Sequence, residues 1–121
     1  MTKYYTEVLI GYVAVDSGQL MLCDPCYLNE WQNNEEWARE SADEDRLYPF
    51  SYNGCCGATM GDYQYGQLKF NGGNAGAGVT FASGFGDGFY PVYAKFTEDE
   101  FWGRRISEIR VVMIEEEKED Y

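Results

Sequence analysis

The chain of 121 residues carries 21 acidic and 9 basic side chains, no histidine and a formal net charge of -12. Such a field repels a phosphate backbone, whose binding draws on Lys and Arg, so direct DNA or RNA binding is disfavoured. Hydrophobic residues at 45% against 25% charged argue against global disorder, because that much apolar surface offsets the entropy of ordering.

The length suits one domain, expected over residues 1–114, with an acidic flexible tail at 115–121. Met1 to Glu7 has no apolar core of signal-peptide length, and no run approaches the ~20 apolar residues of a membrane span. A cytoplasmic protein is expected, with no membrane partner. In that compartment the four cysteines stay reduced, as free thiols or metal ligands rather than disulfides.

In chain order, Val8 to Val15 is rich in β-branched and aromatic residues and stops at Asp16-Ser-Gly18, a turn composition. Gln19 to Cys23 resumes the apolar run, so the two read as a hairpin. Asp24-Pro25 ends the second strand, since proline cannot donate to the ladder. From Asn29 to Arg46 the composition changes to Glu, Asn, Trp and Ala, and Trp31, Trp37 and Ala38 form a short apolar stripe at helical spacing. A surface helix is expected there, with Asp43-Glu44-Asp45 as a solvated acidic face rather than a cation site.

Residues 48–70 hold short aromatic runs broken by glycines, and the alternation in Gln67 to Phe70 fits a strand with one wet face. Asn71 to Gly78 reads as a flexible loop or wide turn. Val79 to Ser83, Phe89 to Phe96 and Ile106 to Ile114 complete the strands. Val111 to Ile114 is apolar on both parities, which predicts a central strand covered on both faces. About seven short strands with one short surface helix make the fold class all-β or β-rich, a small sandwich or partly open barrel.

Four groups of residues carry candidate chemistry. Cys23-x-x-Cys26 with Cys55-Cys56 supplies the four thiolates of a structural zinc site, but adjacent cysteines in a strand point to opposite faces, so unliganded thiols are favoured. A thioredoxin-like role for Cys23 and Cys26 is weaker still, because that motif works at a helix N-terminus and this one follows a strand. Gly84-Phe-Gly86-Asp87-Gly88, with Tyr90 beyond it, has the glycines of a phosphate-cradling loop, yet it runs into a strand; a tight turn is favoured. Asp24 and Asp87 form a candidate acid and base pair or divalent-cation site, without a recognisable nucleophile. Tyr52, Tyr63 and Tyr65, set among glycines in expected loops, are the candidate protein-binding patch.

The segments Gln19-Leu-Met-Leu-Cys-Asp-Pro-Cys-Tyr27 and Gly86-Asp-Gly-Phe-Tyr-Pro-Val-Tyr93, with the apolar strand Ile106 to Ile114, resemble a group of uncharacterised bacterial and phage proteins. Their pattern is a strand ending in Asp-Pro and a later Gly-x-Tyr-Pro-Val strand. The resemblance implies a small β-rich soluble domain in a bacterial or phage setting and no particular activity. Residues 29–75 lie outside it.

The leading expectation is therefore a non-enzymatic protein that binds another protein, with an acidic inhibitor in phage or bacterial defence as one form of it. The alternatives are a small-molecule or nucleotide binder using the glycine-rich 71–88 region, and a metal-dependent enzyme at Asp24 and Asp87. No cofactor is expected beyond a structural zinc.

Overall fold

The computed structural model describes residues 5–33 and 47–115. Its seven strands and one short α-helix confirm a β-rich fold, and neither sheet closes into a barrel. The chain divides into two compact units, one built from residues 1–16 and 87–121, the other from residues 17–86.

The first unit is a three-stranded antiparallel sheet of β1 (Tyr5–Val15), β6 (Gly88–Asp99) and β7 (Gly103–Val111), with β6 in the middle. β-Branched and aromatic residues dominate β1 and recur through β6, because such side chains pack well on a pleated surface. β1 carries one extra residue at Ile10 and β7 one at Ser107, where the registers shift. The register places Val8, Val92, Ala94, Phe96, Ile106, Ile109 and Val111 on one face and Glu7, Tyr93, Lys95, Glu108 and Arg110 on the other.

The second unit is a four-stranded sheet in the order β2-β5-β4-β3, from β2 (Gln19–Cys23), β3 (Leu47–Pro49), β4 (Tyr65–Lys69) and β5 (Ala75–Ala82). β3 and β4 run parallel, and such a pair needs a crossover, which α1 (Tyr52–Thr59) supplies. That crossover lays α1 against the face carrying Tyr48, Leu68 and Thr80, all buried. Phe50, Cys55, Ala58 and Ala77 complete the core, with Met21, Cys23, Tyr27, Trp31 and Phe70 packed around it. Trp31 meets Phe50 edge to face at 5.0 Å and Tyr27 meets Phe70 at 4.8 Å, an arrangement that suits the ring quadrupoles.

Helix α1 has two glycines in its first six residues, poor helix formers, so packing rather than propensity holds it. Buried Ser51 caps it, its Oγ accepting from the Gly54 amide at 2.9 Å. A methyl group on Gly54 would lie 1.9 Å from the Pro49 carbonyl oxygen, and one on Gly66 would lie 2.8 Å from the Ala58 Cβ. The small residues are what let helix and sheet approach. At the other end, the Thr59 hydroxyl reaches Gln19 Oε1 at 2.7 Å and the Cys55 carbonyl at 2.9 Å, tying β2 to the helix.

Several sequence expectations are corrected. β1 and β2 do not form a hairpin; they pair with β6 and β5 in different sheets. Asp16-Ser-Gly18 carries the chain from one unit to the other, with Gly18 at φ +70° and its carbonyl accepting from the Ser83 amide. Asn71 to Gly78 is not all loop. β5 begins at Ala75, and Gly78 belongs inside it because a Cβ there would lie 2.8 Å from the Leu22 carbonyl oxygen of the paired strand.

Among the described residues the α-helix lies at Tyr52–Thr59. Of Asn29 to Arg46, where a surface helix is expected, only residues 29–33 are described: Asn29 and Glu30 end a six-residue 3-10 helix, Pro25–Glu30, and Trp31 follows it, while Trp37, Ala38 and Asp43 to Asp45 fall outside the described residues. Among the described residues, the expected central strand is an edge: β7 ends at Val111, and residues 112–114 lie beyond it. Charged residues at 104, 105, 108 and 110 suit a wet edge, so the middle position goes to β6.

Candidate functional site

Asp24 and Asp87 serve different units. The Asp24 side chain caps the 3-10 helix, its Oδ1 accepting from the Cys26 amide at 2.9 Å while its carbonyl accepts from the Tyr27 amide. Pro25 occupies the first helical position, where a missing N-H costs nothing. Asp87 is exposed at the entrance to β6. Gly84 and Gly86 lie in a tight turn: both have positive φ, the Gly86 amide donates to the Ser83 carbonyl, and the buried Ser83 hydroxyl donates to the Gly86 carbonyl at 2.8 Å. Gly88, at φ +159°, opens β6, and Tyr90 follows in that strand, half-buried and paired with Val13. The glycine segment thus enters a strand, and its backbone is organised as a turn.

The four cysteines are free thiols. Cys55 is buried in the core, and burial pushes its thiol above the ordinary value; a hydrogen bond with Thr80 works the other way, and the nearby Cys56 and Cys23 add to the rise. Cys26 is exposed on the 3-10 helix, and Cys56 receives a weak hydrogen bond from Gln19 Nε2 at 3.7 Å. Among the described residues, no group of three or more Cys, Asp or Glu is arranged to hold a metal ion.

Tyr52, Tyr63 and Tyr65 are all exposed and all belong to residues 17–86. Tyr63 and Tyr65 meet edge to face with centroids 6.2 Å apart. Tyr65 points to the sheet face opposite α1, which the alternation of β2, β4 and β5 lines with Leu20, Leu22, Val79, Phe81 and Gln67. Leu22 is 58% exposed, Tyr65 51% and Val79 43%. One face of this sheet is thus sealed by the helix, and the other presents an apolar and aromatic surface. Sequence reading picked out the tyrosines by their glycine neighbours but missed the leucine, valine and phenylalanine beside them, because pairing alone brings them together.

The three-stranded sheet has a polar face of its own. Arg110 bonds Glu7 through both Nε (2.7 Å) and an Nη (2.6 Å) and lies over the Tyr93 ring at 4.7 Å, while Lys95 pairs with Glu108 at 3.3 Å. These residues line a cleft of about 60 Å³. At the β6–β7 turn, Asp99 Oδ2 accepts from the Phe101 and Trp102 amides at 2.9 and 2.8 Å, and these bonds hold its carboxyl below the ordinary aspartate range. Gly103 closes the turn at φ +74°. The geometry presents Phe101 and Trp102 outward, 91% and 70% exposed, and nothing in the sequence reading had marked this pair.

The fold and its surfaces define a β-rich protein with a helix-backed mixed sheet, a three-stranded antiparallel sheet and exposed aromatic side chains. The chain belongs to the family described as protein of unknown function, DUF4241, whose model matches residues 6–101. Trp102 and β7 lie beyond the matched span. No curated protein and no solved structure matches the chain. Among the described residues, no helix is long and apolar enough to cross a membrane.

Proposed function

We propose that the protein works in the cytoplasm by binding another protein through the face of the second sheet opposite α1. The observation that carries this reading is the exposed apolar surface of Leu22, Val79 and Tyr65 with the Tyr63 and Tyr65 rings paired at its margin. Tyr anchors offer large contact area at small entropic cost, and contiguous exposed apolar surface of this kind marks interaction sites.

Charge specifies the partner further. Residues 17–86 hold nine acidic and three basic side chains, Arg39, Arg46 and Lys69, so the partner has an apolar patch with a basic rim, steered in by the acidic field. A protein whose own groove is basic fits that description, which makes this chain an acidic inhibitor of such a groove.

The test is affinity capture from a bacterial lysate at physiological salt with the wild-type chain and a Tyr63→Ser, Tyr65→Ser variant of unchanged melting temperature. A stoichiometric partner held by the wild type, released by added salt and absent from the variant supports the reading. Failure to recover any stoichiometric partner, or equal capture by the variant, overturns it.

A further inference from the structure

We propose that the protein forms a two-fold dimer by pairing the outer edge of β7 with the same edge of a second copy, each copy's Phe101 and Trp102 covering a cleft on the other. The inference rests on the first unit alone and is independent of the surface proposed above.

Three features converge on this interface. β7 is the end strand of its sheet, nine residues long and exposed through residues 103–110, so among the described residues no strand pairs with its outer edge. An unpaired edge of that length is a template for another chain. Next, a cleft of about 690 Å³ lies at the far end of the same strand, lined by Tyr93, Arg110, Val111, Val112, Met113 and Ile114 among others. Finally, Phe101 and Trp102 project at the near end on a turn that Asp99 and Gly103 preorganise, so docking them costs little ordering.

One antiparallel register joins these features. Placing Arg105 opposite Glu108 of the second copy places Glu108 opposite its Arg105, as two-fold symmetry requires. Both residues lie on the polar face, because the extra residue at Ser107 shifts the alternation between them. Arg104 then lies opposite Ile109 of the second copy, and the pairing of β7 with β6 puts those two on the same, apolar face. Continuing outward, Trp102 falls opposite Val111 and Phe101 opposite Val112 of the second copy, which brings the aromatic tip to the mouth of the cleft. The charge complementarity is thus doubled, and an isologous contact closes at two copies rather than growing into a fibre.

The experiment is sedimentation velocity over a range of concentrations on the full chain. The expected species has twice the 13.9 kDa chain mass. Arg105→Glu alone and Glu108→Arg alone each set like charges opposite each other twice and weaken the dimer about tenfold. The Arg105→Glu, Glu108→Arg double variant restores it, although Glu108→Arg also removes the bond to Lys95 within the chain. Phe101→Ser, Trp102→Ser weakens the dimer with unchanged circular dichroism, since both side chains are exposed. A monomer at every concentration, a dimer indifferent to the single reversals, or single reversals that the double variant does not rescue would overturn the proposal.

Discussion

Gly54→Ala sets two physical effects against each other. In an isolated helix the exchange is stabilising by roughly 0.5–1 kcal/mol, because glycine gives up more backbone freedom than alanine. Here the new methyl group would sit 1.9 Å from the Pro49 carbonyl oxygen, 2.8 Å from its carbon and 3.1 Å from Ser51 Oγ. Two of those atoms are backbone and the third is the buried cap of the same helix, so nothing flexible can give way. Overpacking of a well-filled core costs about 1–3 kcal/mol, and a rigid backbone obstacle belongs at the upper end. A loss of about 3 kcal/mol follows, which for a chain of this length lowers the melting temperature by roughly 10 °C. The assay is urea and thermal unfolding of Gly54→Ala beside Gly11→Ala, whose methyl group meets nothing within 4 Å. Gly11→Ala is expected to melt within a degree or two of the wild type. A Gly54→Ala protein as stable as the wild type would refute the close approach of α1 to the β3 turn.

The remaining predictions concern the cap, the thiols and the hairpin tip. Ser51→Ala leaves the Gly54 amide without its buried acceptor and is expected to cost about 1–2 kcal/mol in urea unfolding. Under native conditions iodoacetamide should modify Cys26 first and Cys55 last, followed by peptide mass spectrometry, because Cys26 is exposed while burial both shields the Cys55 thiol and suppresses its thiolate. Asp99 has a depressed folded pKa, so its ordering of the turn is present above the unfolded aspartate range and is lost as pH falls through the lower folded value. Amide shifts of Phe101 and Trp102 should therefore titrate with a midpoint below that of an ordinary aspartate, and Asp99→Asn should abolish that titration.

Much of the strand inventory was legible because strands announce themselves locally. Val8 to Val15, Gln19 to Cys23, Gln67 to Phe70 and Phe89 to Phe96 are runs whose β-branched and aromatic side chains suit a pleated surface, and each lies in or overlaps an observed strand. Pairing was not legible, because it depends on partners far along the chain. Asp16-Ser-Gly18 has the composition of a hairpin turn but serves as a crossing between two sheets. Helix α1 was hidden for a related reason: Gly54, Cys55, Cys56 and Gly57 carry almost no helical preference, and their small size matters only once Pro49 and Tyr48 lie beneath them. Val111 to Ile114 looked central because it is apolar throughout, whereas the four charged residues before it mark an edge.

The candidate site shows the same division. Asp24 beside Pro25, and glycines at 84, 86 and 88, are short-range signals, and the structure places them in a cap, a turn and a strand entrance. Exposure of Tyr63 and Tyr65 is a short-range matter too, since Asp62, Gln64 and Gly66 flank them. The apolar surface next to them draws on Leu22 and Val79 from strands far apart in the chain, which only the β2-β5-β4 register assembles. Phe101 and Trp102 were overlooked because an aromatic pair in sequence looks like core until the Asp99 turn points it outward.

The claim that the sheet face opposite α1 recognises another protein is tested most directly by photocrosslinking from a benzophenone amino acid placed at Tyr65 in bacterial cells. The prediction is a discrete adduct with one heterologous protein, lost when a second change, Leu22→Ser, roughens the same face. Adducts confined to the chain itself, or to a second copy of it, would contradict the claim.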